Sequence, residues 1–144
     1  MTKGASINFK SYEESVPQVL EFLQVQNELR KYDKIVLKPY IQNQEVHTPL
    51  PFLEAVLKFF IENKNPIAEI FIAEGTDGQE TTYFFELLGY KKLAEKYSVG
   101  LIDLNDTEVS EIENHEFLQF SNKLIYFVYR TSKIFLIFIK YCNN

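Results

Sequence analysis

Charged residues stand at the ends of three short apolar runs of this sequence, where they could meet and do chemistry. They are Lys38, Glu74 and Asp103. In open α/β sheets, ligands bind outside the carboxyl ends of the strands, so strands ending here would bring these side chains to one edge. Lys38 could then neutralise the carboxylate or phosphate of a small ligand. A lone lysine at this position is also typical of a solvated strand end, and the sequence leaves both interpretations open.

An acidic loop after the second run is the best candidate for contact with a ligand. It consists of Glu74, Gly75, Thr76, Asp77 and Gly78. Its glycines permit positive φ angles and close backbone approach, and amides ahead of a helix starting at Thr81 could receive an anion. The same composition is typical of an ordinary turn that caps a helix. The loop is not a P-loop, because the Gly-Lys-Ser/Thr ending is missing.

His47 and Thr48 follow the first run and add groups that could take part in binding. A histidine can act as an acid, a base or a metal ligand near neutral pH, although a lone histidine before a helix start is commonly a loop residue. It would form an oxygen-rich metal site with Glu74 and Asp77 if the three converge, which their spacing does not establish. We predict that Lys38, His47, Thr48 and the acidic loop bind a small anionic or metal-associated ligand. The reaction, the catalytic residues and any cofactor stay unassigned.

The spacing of apolar residues predicts strands that alternate with helices. The strands are expected over Lys34–Pro39, Ala68–Ala73 and Val99–Leu104, with a short one over Ala5–Lys10. Helices are expected from Ser11 or Ser15, from Thr48 as N-cap with Pro49 at the first helical position, over Thr81–Leu88 with Gly89 at C′, and over Lys91–Tyr97. Such alternation forms a parallel sheet with right-handed crossovers and helices on both faces. The expected fold is a Rossmann-like, three-layer α/β structure.

Two apolar runs near the C-terminus, 123–129 and 134–139, predict two strands joined by a turn, which would make the sheet mixed there. A membrane span is not expected, since it needs about 20 apolar residues and Arg130 and Lys133 interrupt this segment. The second run is apolar on both faces, so it needs cover on both sides or becomes an edge prone to association. An alternative function follows: a non-catalytic interaction module or fragment that forms homo-oligomers through residues 123–141.

Composition places the chain among folded, acidic proteins. Its 144 residues fit one domain, and 46% hydrophobic and 15% aromatic content argue against disorder. A net charge of −5 and a pI of about 5.1 speak against a nucleic-acid partner. The single cysteine, Cys142, excludes a disulfide or a cysteine metal site within one chain. Because no apolar signal segment follows Met1, we expect a cytoplasmic protein. His115 and Cys142 receive no role.

Five ordered motifs between residues 34 and 105 resemble a known family. They are Val36-Leu-Lys-Pro39, His47-Thr-Pro49, Ile70-Phe-Ile-Ala-Glu-Gly75, Leu88-Gly-Tyr90 and the segment from Leu93 to Leu104. Together they resemble domain of unknown function family 362. The resemblance implies an α/β fold and a cytoplasmic setting, and it supplies no reaction.

The sequence departs from that family's pattern in two ways. Members often carry an asparagine after the Lys-Pro pair, where this chain has Tyr40. Members also continue into a further sheet segment and sometimes an appended ferredoxin-like iron–sulfur domain, whose cluster usually takes four thiolates that one cysteine cannot supply. We therefore interpret residues 1–144 as a single α/β domain. In a variant of this interpretation, the domain is a truncated version of a larger family domain.

Overall fold

The computed structural model describes residues 6–76 and 80–106, together with the backbone of residues 127–130 and 134–139. The helices are α1 Tyr12–Phe22, α2 Val25–Leu29, α3 Leu50–Asn63, α4 Thr81–Leu87 and α5 Tyr90–Tyr97. The strands are β1 Lys34–Pro39, β2 Glu69–Glu74, β3 Gly100–Asp103, β4 Phe127–Arg130 and β5 Ile134–Ile139. Within these residues no helix combines the length and the apolar character that a membrane span requires.

The strands form one sheet in the order β3-β2-β1-β5-β4. β1 runs parallel to both β2 and β5, β2 runs parallel to β3, and β4 is antiparallel to β5. The expected α/β fold with a mainly parallel sheet is therefore confirmed. From β1 the chain proceeds outward to β3 on one side, and β5 then joins β1 on the other side. The order of strands thus reverses between β1 and β5.

One face of the sheet carries the core. Ile35 pairs with Ile70 and Leu37 with Ile72, and all four side chains are at most 5% exposed. Apolar residues of two helices pack with them, namely Leu53, Val56, Leu57 and Phe60 of α3 and Tyr90, Leu93 and Ala94 of α5. The described helices cover this face because the alternating residues of β1 and β2 present it as a continuous apolar surface.

The opposite face of the sheet is less covered by the described residues. Val36 and Phe71 pair in register there, and each is half-buried and lies outside the core. The expected second layer of helices on this face does not appear among the described residues. The coarser architecture, a parallel sheet with helices packed on it, is what the structure establishes.

Two local expectations were wrong. Both concern residues just before a helix, where a side-chain hydroxyl accepts a backbone N–H other than the expected one. α3 begins at Leu50 with Pro49 in the N-cap position, whereas Thr48 was expected there. The Thr48 hydroxyl instead accepts the amide N–H of Tyr40 at 2.9 Å, which closes the preceding loop. Residues 6–10 form no strand, and the Lys10 amide donates to the Ser15 hydroxyl at the start of α1.

Two other expectations about helix ends are confirmed. Ser11 is the N-cap of α1, and its hydroxyl accepts the Glu14 amide at 3.2 Å. Gly89 has a φ of 82°, in the left-handed region that favours glycine, and it separates α4 from α5. This turn places Tyr90 at the first position of α5, where its side chain belongs to the core on the covered face of the sheet.

Gly100 has a packing reason to lack a side chain. A Cβ at this position would lie 2.3 Å from Cδ1 of Phe71, its neighbour in register on β2. We expect Gly100→Ala to lower the free energy of unfolding by about 1–3 kcal/mol, because the Phe71 ring must leave its position. Denaturant unfolding measures this loss.

A second substitution separates ring overlap from a backbone effect. Phe71→Val removes the ring atoms that a Cβ at Gly100 would meet, so Gly100→Ala should cost less in that background. An equal cost of Gly100→Ala with and without the Phe71 ring would show that overlap with the ring is not the cause.

Candidate functional site

The carboxyl ends of β1 and β2 are joined by a buried ion pair. Lys38 Nζ lies 2.6 Å from Glu74 Oε1, and the two residues are 36 positions apart in the sequence. The Glu74 side chain is 4% exposed, whereas that of Lys38 is 26% exposed. A short bond between two charged groups at low solvent exposure is among the stronger side-chain contacts. The cation therefore lies between a buried carboxylate and the solvent.

The backbone after β2 helps to hold this carboxylate. Glu74 Oε1 also accepts the N–H of Gly75 at 3.0 Å. The Glu74 carbonyl accepts the N–H of Leu104 at 2.9 Å, which ties the end of β2 to the end of β3. Asp103 pairs in register with Glu74, and its Oδ1 accepts the N–H of Asn105 at 2.9 Å. We call Lys38, Glu74 and Asp103 the rim site.

A clasp of polar side chains fixes the first part of the acidic loop. The Thr76 amide donates to the Thr81 hydroxyl at 3.1 Å. Asn105 Nδ2 donates to the Thr76 carbonyl at 3.0 Å and to the Thr81 hydroxyl at 3.1 Å. A Cβ on Gly75 would lie 2.6 Å from Asn105 Oδ1, so glycine allows the loop to pass this close. The amides of Gly75 and Thr76 are thus bonded to side chains of the protein itself.

Tyr90 connects the rim site to the loop that follows β1. Its side chain is fully buried, and its hydroxyl donates to the carbonyl of Thr48. Burial raises the pKa of the Tyr90 hydroxyl far above its usual range, and the negative charge of Glu74 adds to the shift. The hydroxyl therefore stays neutral and keeps its proton as a hydrogen-bond donor near the Glu74 carboxylate.

The loop from Tyr40 to Thr48 is closed at its base. Tyr40 and Thr48 exchange two hydrogen bonds, one from the Thr48 amide to the Tyr40 carbonyl at 2.8 Å and one from the Tyr40 amide to the Thr48 hydroxyl at 2.9 Å. Ile41 and His47 form an antiparallel bridge above this base. His47 is half-buried, and its Nδ1 has no hydrogen-bond partner within the described part of the chain. The loop is a small hairpin held against the end of β1.

The structure brings together only some of the predicted site residues. Lys38 and Glu74 meet directly, Gly75 bonds Glu74, and Thr48 reaches the same region through Tyr90. Asp77 and Gly78 lie outside the described residues. In the described ranges no three His, Cys, Asp or Glu residues form a group that could hold a metal ion.

Sequence reasoning missed two residues of this region, Tyr90 and Asn105. Asn105 is not among the predicted site residues, although an asparagine directly after the predicted strand Val99–Leu104 can bond the neighbouring loop at the shared carboxyl edge of a parallel sheet. That edge rule was the available signal. Tyr90 occurs in the Leu88-Gly-Tyr90 motif, but no local pattern reveals that its hydroxyl reaches Thr48, 42 residues earlier.

Two open grooves lie elsewhere on the described surface. One has a volume of about 420 Å³ between α1 and α3, and the other about 380 Å³ beside α4, α5 and β3. The exposed ion pair of Lys58 and Glu13 lines the first groove. The exposed ion pair of Lys91 and Glu86 lines the second. Neither is lined by Lys38 or Glu74. The rim site is the stronger candidate because it lies at the carboxyl ends of parallel strands, where ligands of open α/β sheets bind.

Glu74 is more buried than Lys38, so we expect removal of the lysine charge and removal of the glutamate charge to lower the free energy of unfolding by different amounts. Lys38→Met leaves the Glu74 carboxylate buried without its cation, which we expect to cost about 3–5 kcal/mol. Glu74→Gln keeps an acceptor for the Gly75 amide and leaves a lysine able to reach water, so the loss should be about 1–3 kcal/mol. The double variant should cost less than the sum. Urea unfolding of all three proteins measures these losses, and equal costs for the single variants would contradict the asymmetry.

Tyr90 makes stability depend on alkaline pH. Its pKa is raised on folding, so its contribution is complete below about pH 10, the ordinary tyrosine value, and is lost as pH rises above it. Tyr90→Phe should therefore lose stability less steeply above pH 10. At neutral pH it should cost about 1–3 kcal/mol, because the buried Thr48 carbonyl loses its donor. Unfolding measured across this pH range tests both expectations, and the exposed Tyr83→Phe is the control at neutral pH.

Comparison with protein families identifies a match over most of the residues described above. The model of the family described as Domain of unknown function (DUF362) matches residues 35–129, about two thirds of the 144 residues. No curated protein and no solved structure matches the chain. The matched residues include β1 from Ile35 onward, the closed loop after it, β2, the clasp and β3. The family expected from the sequence motifs is confirmed, and the chain belongs to the DUF362 family.

Proposed function

We propose that this domain binds a small acid at the rim site. Lys38 is the cation that faces the acidic group of the ligand. The observation that carries the proposal is the contact of Lys38 with the buried Glu74 carboxylate at 2.6 Å. This contact fixes a lysine, otherwise one of the most mobile side chains, at the carboxyl ends of two parallel strands. A fixed cation loses less conformational entropy when a ligand binds.

The topology of the sheet supports the same location. Ligands of open α/β sheets bind at the carboxyl ends of strands, beside the place where the strand order reverses. Here the order reverses between β1 and β5, and Lys38 belongs to β1. The hairpin from Tyr40 to Thr48 follows β1 directly, so His47 and Thr48 border the same edge. They are the residues we propose to shape the ligand's surroundings.

The described part of the acidic loop, from Glu74 to Thr76, has a different role from the one that we predicted for it. The amides of Gly75 and Thr76 are bonded to Glu74 and Thr81, so they do not form an amide cradle for an anion. The loop instead supports the carboxylate that holds Lys38. The proposal names an acid because the described contacts place a cation, Lys38, at this edge of the sheet. The metal-associated ligand stays a prediction, since Asp77 lies outside the described residues.

A finer architecture accompanies this proposal. We propose a Rossmann-like arrangement of three layers, since the half-buried Val36 and Phe71 present an apolar surface that a second layer would cover. We also propose a cytoplasmic setting, which the single cysteine supports.

Association through the C-terminal strands receives less support from the structure. β5 lies between β1 and β4, so the apolar run Ile134–Ile139 has a neighbouring strand on both sides and does not form the sheet edge. An inner strand of a sheet is commonly apolar on both faces. The composition of β5 thus has an explanation without a partner chain, and homo-oligomers through residues 123–141 stay a prediction.

A thermal-shift screen tests the proposed ligand class. Inorganic phosphate and small carboxylic acids are titrated into the protein, and a ligand at about 100 times its Kd stabilises the folded state by about 2.7 kcal/mol. We expect at least one acid to raise Tm by several degrees. The rise should vanish in the double variant Lys38→Met/Glu74→Gln, which removes both charges together and avoids an isolated buried carboxylate.

Lys58→Met is the matched control, because Lys58 also pairs with a glutamate, Glu13, at a more exposed position. It should keep the ligand-dependent rise of Tm. The proposal fails if no acid stabilises the protein, or if the rise persists without Lys38 and Glu74.

A further inference from the structure

A lysine at the end of α3 is bonded to backbone carbonyls rather than to a carboxylate. Lys64 is the C-cap of α3. Its Nζ donates to the carbonyls of three residues that follow, Asn65 at 3.2 Å, Pro66 at 3.1 Å and Ala68 at 2.7 Å. An ammonium has three N–H donors, so these bonds occupy all of them. Among the described residues, Lys64 forms no ion pair with an aspartate or a glutamate.

The three oxygens belong to the connection between α3 and β2, residues 64–68, which we call the carbonyl loop. Ala68 is 5% exposed, and its amide donates to the carbonyl of Asn65 at 2.9 Å, so the chain turns tightly here. The next amide, that of Glu69 at the start of β2, donates to the carbonyl of Asp33 at 2.9 Å. Partial negative charges that converge repel one another unless a positive charge lies between them. The Lys64 ammonium therefore stabilises the geometry with which the chain enters β2.

Carbonyl oxygens around one positive charge are also what proteins offer to monovalent metal ions. In potassium channels, backbone carbonyls replace the hydration shell of K⁺. Ca²⁺ and Mg²⁺ sites use carboxylates, whereas the three partners of Lys64 are neutral carbonyls. The negative end of the α3 dipole adds to the preference for a cation at this position. The carbonyl loop thus has the donor set of a monovalent-cation site, in which the ammonium occupies the position of the ion.

We propose that the carbonyl loop is a monovalent-cation site whose cation is supplied by the chain itself, as the ammonium of Lys64. The site lies at the amino ends of β1 and β2, the edge opposite the rim site, and it is independent of the ligand proposed there. A tethered ammonium needs no ion from solution, because its side chain holds it at the carbonyls at a high effective concentration. A free K⁺ or ammonium ion takes its place once the lysine side chain is shortened.

Lys64→Ala removes the ammonium and keeps the three carbonyls, so it opens the site to ions from solution. Its Tm is measured in KCl, ammonium chloride and tetramethylammonium chloride at equal ionic strength, because tetramethylammonium is bulky and has no N–H donor. We expect Tm to be about 2 °C or more higher in at least one of the first two salts, the shift that a cation at a few times its Kd produces. The native chain and Lys58→Ala should show no such difference, since Lys58 belongs to the same helix but bonds the carboxylate of Glu13.

The native chain supplies a second measurement, the rate at which each lysine is acylated by an amine reagent. Acylation requires a free amine, so the three bonds of Lys64 should slow its labelling about tenfold or more relative to the exposed Lys92. Mass spectrometry of the folded chain gives both rates. The urea-unfolded chain, in which the two rates should be equal, is the control.

A higher Tm in KCl or ammonium chloride that is confined to Lys64→Ala supports the cation site. Equal Tm values of this variant in all three salts would show that the carbonyls do not bind a cation. If Lys64→Ala folds in none of the salts, the labelling rates decide. Equal rates at Lys64 and Lys92 in the folded chain then contradict the proposal, and slower labelling of Lys64 by about tenfold supports it.

Discussion

The buried carboxylate of Glu74 is the constraint on which the rest of the rim depends. A carboxylate that is 4% exposed is unstable unless a cation and hydrogen bonds compensate its lost hydration. Lys38 supplies the cation from β1, and the Gly75 amide supplies a hydrogen bond from the chain that follows. The Glu74 side chain thus holds the end of β1 and the start of the acidic loop in fixed positions beside the end of β2.

Hydrogen bonds within the surrounding loops make that relation rigid. Thr48 closes the hairpin after β1, and Asn105 closes the segment between β2 and α4. Tyr90 then joins the hairpin to the core through the Thr48 carbonyl. Among the described residues, these bonds hold the base of the hairpin and the start of the acidic loop without a ligand. The parallel sheet therefore supplies the edge, and short-range polar contacts supply its shape.

The sequence predicts the strands well and their side-chain contacts poorly. Lys34–Pro39 was predicted with the observed bounds, and β2 and β3 within one residue at each end. Short apolar runs bounded by polar residues suffice for this, since burial in a parallel sheet selects them directly. The contact between Lys38 and Glu74 is different, because it depends on the register of β1 against β2. The apolar pattern restricts that register, since a slip of one residue would move the apolar side chains to the other face, but it does not show which charged side chains meet at the strand ends.

The clasp and the hairpin show a second limit of sequence reasoning. Thr48 stands where an N-cap is expected, yet its hydroxyl bonds the Tyr40 amide, because threonine side chains serve helix starts and loop closures equally well. The choice between the two follows from which backbone donor the fold brings near. Asn105 belongs to the same class of residue, and its role likewise depends on β2 and β3 being neighbours.

These internal bonds also bear on the ligand binding that we propose for the rim site. A glycine-containing loop ahead of a helix often offers its amides to an anion, but here the amides of Gly75 and Thr76 already donate to side chains. In the function that we propose, selectivity therefore depends on side-chain charges, which lie on three strands in the order Lys38, Glu74, Asp103. Charges fixed on strands hold their spacing better than charges on a mobile loop. Under the proposed function, the one cation and the two carboxylates of the rim site are therefore the groups that select a ligand by its charge.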